Sequence, residues 1–151
     1  MLDVGVLKEE YLKFADPANE AFPKTMKEAA EFWGEMLATY CKEVTPKSLN
    51  QSKGRDAFVA IMESATAEAQ NWPALLPGAL TAFAAQVGAG MGVVGYTGTP
   101  NPQSYAGLPQ VIALGMTGAD TEQVATLLSS TLHTWFLGCR ASNSNGSRNW
   151  A

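Results

Sequence analysis

Histidine occurs once in this chain of 151 residues and cysteine twice. A zinc site of the usual Cys/His type needs about four such ligands, so none is expected, and no metal-binding residue is assigned. Basic residues are few as well: ten Lys and Arg against fourteen Asp and Glu, giving a net charge of −4. A groove that tracks nucleic-acid phosphates needs clustered basic side chains, and here they are scattered, so no nucleic-acid partner is expected. No uninterrupted apolar run approaches the roughly 20 residues of a membrane helix. The closest stretch, 74–94, is broken by Pro77, Gly78, Gly88, Gly90 and Gly92 and reads as a buried helix, so no membrane partner is expected. The first residues carry acids where a secretory signal has a basic start, which points to synthesis in a cytoplasm. No internal repeat is visible.

What is present reads as one helical domain. Hydrophobic residues make up 46% and charged residues 16%, enough for a core in a chain that buries about 68–70% of its unfolded surface. Helical spacing places apolar stripes at 4–14, at 26–44 behind a Thr25/Glu28 capping box, and from about 54 to 71. Further stripes run from about 76 to 91 and from 121 to 139 behind Asp120. Phe22 reads as an anchor for the loop between the first two helices. The fold class is therefore all-α: a bundle of about five helices in residues 1–141, with an irregular Gly/Pro-rich loop. Residues 142–151, ASNSNGSRNWA from Ala141 on, read as an extended, flexible C-terminal arm.

The stretch 72–102 contains no charged residue. It begins as an Ala-rich helix and ends in the turn Tyr-Thr-Gly-Thr-Pro-Asn-Pro (96–102). Gly90, Gly92 and Gly95 match the spacing of a dinucleotide loop, but that loop needs a strand before it and a helix after it. Here it follows a helix and leads into turns, so the glycines read as unwinding the helix and allowing close packing; no cofactor is assigned. His133, beside Leu132 and Trp135, reads as a hydrogen-bonded packing residue, because no nucleophile and carboxylate accompany it. No catalytic residue is assigned and the chain is not expected to be an enzyme. Cys41 and Cys139 read as buried thiols, with a bridge between them left open. The aromatic and turn residues of the two irregular segments read as candidate contacts with other chains: Tyr96, Pro100, Pro102, Tyr105, Arg148, Asn149 and Trp150. Folding of these residues back onto their own subunit is the competing reading.

Three segments taken together resemble small virion structural proteins of tailed bacteriophages. They are Gly-Ala-Gly-Met (88–91), the turn 96–102, and His-Thr-Trp-Phe-Leu-Gly-Cys (133–139). The resemblance implies a non-enzymatic virion component present in symmetric copies, contacting other virion structural proteins in the tail, baseplate or neck. A head decoration protein is one alternative. Another, independent of the resemblance, is a cytosolic helical adaptor that binds a peptide or small apolar ligand.

Overall fold

The computed structural model describes residues 1–64, 72–103 and 120–151. Five α-helices run through these residues: α1 (Val4–Ala15), α2 (Met26–Tyr40), α3 (Gln51–Met62), α4 (Trp72–Ala89) and α5 (Thr121–Leu137). Three short strands accompany them, β1 (Thr97–Thr99), β2 (Arg140–Asn143) and β3 (Gly146–Asn149). The molecule is mostly helical with a small antiparallel sheet, so the all-α expectation holds only in its coarse form. The expected end of the third helix (65–71) and the segment 104–119, which includes Tyr105, lie outside the described residues.

Local chemistry sets the helix ends. Asp3 Oδ1 accepts from the Gly5 amide at 2.8 Å and caps α1. The helix stops at Ala15 because Asp16, which precedes Pro17, is extended at ψ 119°. At α2, Thr25 Oγ1 accepts from the Glu28 amide at 3.1 Å, and Glu28 Oε2 accepts from the Lys24 amide at 2.7 Å. This is the capping-box exchange with its return bond moved one residue upstream. Asp120 occupies the cap position of α5 but its side chain makes no capping bond. Phe22 is 39% exposed and does not anchor its loop.

Helix α4 is the centre of the core. Leu76, Ala79, Leu80, Phe83 and Val87 on it are all buried, and α3 packs against it on one side and against α2 on the other. With the 3₁₀ turn that follows (Gly90–Val94), the stretch Trp72–Val94 has the length and hydropathy of a membrane span, glycines notwithstanding. In this fold Leu76, Leu80, Phe83, Val87 and Met91 of that stretch are buried in the core, while Val93 and Val94 at its end are exposed. Pro77 lies inside α4, which begins at Trp72, earlier than its spacing suggests. Aromatic rings link the layers: Trp33 lies parallel to Phe58 at 6.5 Å, and Phe83 meets Phe136 edge-on at 6.0 Å.

After the 3₁₀ turn, Gly95 takes a positive φ of 81° and reverses the chain into β1. β1 then crosses α4 so closely that a Cβ on Gly88 would lie 2.6 Å from the carbonyl carbon of Gly98. Only a backbone free of side chains on both partners permits that approach. β1 pairs with β2, placing Thr97 opposite Ser142, and β2 pairs with β3, placing Arg140 opposite Asn149.

The C-terminal residues are thus a hairpin, not the extended arm expected at 142–151. Trp150 is fully buried. Its indole donates to the Arg140 carbonyl at 3.0 Å, its own carbonyl accepts from the Thr45 amide at 2.9 Å, and its ring lies 6.3 Å from Phe136. Burying an indole is worth several kcal/mol, which outweighs the flexibility of a short polar turn.

Candidate functional site

His133 shares a 2.7 Å hydrogen bond between Nδ1 and the Tyr40 hydroxyl, and the two rings meet edge-on at 6.0 Å. Desolvation lowers the imidazole pKa, with Asp3 acting weakly the other way, and burial raises that of the Tyr40 phenol. Both shifts favour neutral groups. Ser129, the nearest buried hydroxyl on the same helix, bonds back to the Thr126 carbonyl at 3.1 Å. The arrangement ties α2 to α5 and offers no activated nucleophile.

The two thiols are equally quiet. Cys41 and Cys139 are free and buried. Burial pushes Cys41 well up, and it pushes Cys139 up to about 12 even though the Asn101 amide, at 3.3 Å from its sulfur, acts the other way. Thiolate chemistry is suppressed at both positions. Gly90, Gly92 and Gly95 lie in or just after a turn that follows a helix and precedes a strand, the reverse of a dinucleotide loop. Among the described residues no three His, Cys, Asp or Glu side chains converge on a point that could hold a metal.

The expected interface residues other than Tyr105 lie on or next to the sheet, but mostly as parts of the subunit. Tyr96 is half-buried against the core and Pro100 is half-buried beside it. Asn101 anchors this loop: its side-chain amide donates to the Trp135 carbonyl at 3.0 Å, while the Trp135 indole donates to the Gln103 carbonyl at 3.0 Å. Pro102 and Arg148 are exposed, Asn149 is half-buried on β3, and Trp150 is inside. The loop and the C-terminal segment, expected as separate appendages, meet as neighbouring strands.

The surface features that remain were not singled out from the sequence. Leu49 and Val93 are each 59% exposed and Val94 is 45% exposed. Gly90 sits against Ser48 and Asn50, so the segment that carries Leu49 lies beside the start of the 3₁₀ turn that carries the two valines. A separate groove of about 480 Å³ opens between α2 and α3. Gly34 brings the helices together there, since a Cβ on it would lie 2.9 Å from Arg55 Cγ. Phe32 and Val59 line the groove, with Glu31, Glu35, Asp56 and Glu63 around it. Arg55 is paired with Glu35 and, at 3.1 Å, with Asp56; Glu31 and Glu63 have no cationic partner among the described residues. These acids lie on exposed helix faces, and their convergence with Phe32 depends on the helix crossing.

No protein-family model, curated protein or solved structure matches this chain.

Proposed function

We propose that the chain is a non-enzymatic structural component of a tailed bacteriophage particle, in the tail, baseplate or neck, acting through protein–protein contacts in a symmetric assembly. The resemblance of residues 88–91, 96–102 and 133–139 supplies the class. The observation that carries the mode of action is the exposure of Leu49, Val93 and Val94, at or beside the 3₁₀ turn, on a molecule whose other large apolar side chains are mostly buried. Exposed aliphatic groups held on a rigid turn are what a neighbouring chain covers. The quiet histidine and thiols fit a role without chemistry.

The test is the variant Val93→Asp with Val94→Asp. Both positions are exposed, so melting should change by no more than about 0.5 kcal/mol. Self-association measured by sedimentation should weaken, because two carboxylates would have to be desolvated at the contact. Unchanged association would remove the two valines from the interface.

A second reading, a helical adaptor binding a peptide, draws on the groove between α2 and α3. Its four carboxylates fit a basic peptide and argue against a small apolar ligand. Calorimetry with a lysine-rich helical peptide separates the two readings, since a structural subunit predicts only weak, salt-sensitive binding.

A further inference from the structure

We infer that the α2–α3 groove of one copy receives the β2–β3 hairpin of the next copy, in a head-to-tail contact. This inference rests on the proposal that the chain assembles with itself, and it names a contact separate from the one made by Leu49, Val93 and Val94. The groove offers Glu31, Glu35, Asp56 and Glu63 around a single guanidinium, Arg55, with Phe32 beneath. Arg55 already has two of the carboxylates as partners, leaving Glu31 and Glu63 exposed with no cationic partner among the described residues. The complementary surface lies on the same chain. After Glu122 the only charged side chains are Arg140 and Arg148, and both are exposed on the hairpin. Among the described residues neither meets an Asp or Glu side chain: Arg140 Nε donates to Ser147 Oγ at 3.2 Å and Arg148 donates to the main-chain oxygen of Ala151 at 3.4 Å. Two guanidiniums suited to bidentate carboxylate recognition therefore stand on one small hairpin.

The two surfaces do not overlap. The groove uses the middle of α2, whereas the hairpin is held beyond the far end of α2, through the Thr45–Trp150 bond. A contact between two different patches is heterologous, so it repeats from copy to copy and gives a ring when the rotation closes. A two-fold dimer would instead bury one patch against itself. The charge pairing supplies register and orientation, and the contact is sensitive to salt because the Debye length falls from about 8 Å at 0.15 M to about 3 Å at 1 M.

Charge reversal on the full-length chain tests the pairing, read by native mass spectrometry and sedimentation, with circular dichroism checking the fold. R140E/R148E alone and E31K/E63K alone should each weaken association at least tenfold, as should 1 M NaCl on the unmodified protein. An equimolar mixture of the two variants should associate again, because each hairpin then faces a groove of opposite sign. The fourfold variant carrying all the reversals should recover association as a single species. If the unmodified protein assembles and the reversals leave its assembly unchanged, or the mixture fails to recover what each variant lost, the hairpin-in-groove contact is wrong and self-assembly stands. If the unmodified protein is a monomer at every concentration, both fall.

Discussion

Trp150→Ala tests whether the last ten residues belong to the fold. The side chain is fully buried and its indole bonds the Arg140 carbonyl at 3.0 Å. A tryptophan buries roughly 150–250 Å², and at about 25 cal/mol per Å² that is about 4–6 kcal/mol. Compactness of the unfolded chain trims the figure by roughly 10–40%. The result agrees with the about 3–5 kcal/mol typical of large aromatic-to-alanine changes in cores. In a chain of this size each kcal/mol moves the melting temperature by roughly 2–4 °C, so a loss of about 6–20 °C is expected. Trp150→Phe keeps most of the ring and loses the indole bond, and should cost about 1–2 kcal/mol. Urea titration followed by far-ultraviolet circular dichroism measures both. A cost below about 1 kcal/mol for the alanine variant would mean that the tail lies on the surface and the hairpin does not close the core. Deleting residues 142–151 removes the same indole, so truncation should destabilise the whole molecule and is no clean test of assembly.

Gly88→Ala puts a methyl group into the Gly98 backbone, which cannot turn aside, and should cost about 2–3 kcal/mol in the same titration; a neutral result would displace β1 from α4. Thr25→Ala removes the acceptor for the Glu28 amide and should cost about 1 kcal/mol by thermal melting, whereas Thr25→Ser should cost little. Folding raises the Cys139 pKa from 9.0 to about 12 and raises that of Cys41 as well, so the folded state binds more protons than the unfolded state above pH 9. Stability should be fully present below pH 9 and decline as pH rises from there towards 12, in denaturant titrations at fixed temperature. The same burial predicts that a thiol reagent modifies neither cysteine until the protein unfolds. His133 shifts the opposite way: its folded pKa is lowered, so its contribution is present above pH 6.5 and is lost as pH falls below it.

The helices were legible because their signals are local. The stripe and capping residues of α2 sit within one stretch of sequence, and so do the stop at Asp16-Pro17 and the Asp3 cap of α1. The sheet was not legible, because β1 and β2 are more than forty residues apart and each is only three or four residues long. For the hairpin one signal was available: Asn145-Gly146 is a turn dipeptide, and Gly146 does take a positive φ of 141°. Its polar neighbours hid it, since strands this short show no useful alternation of apolar and polar residues. Trp150 reads from the sequence as a candidate contact with another chain, and its burial in its own subunit accounts for the residue without a partner. The groove could not be read at all. Glu31 and Glu63 lie on solvated faces of two helices, and only the approach of Arg55 and Val59 to Gly34 sets them around one opening.

The most direct measurement is the native mass of the unmodified protein at micromolar concentration and physiological salt. The head-to-tail contact predicts assemblies of more than two copies of the 16.0 kDa chain, shifting towards single chains as salt is raised. A single 16.0 kDa species at every concentration and salt would contradict it.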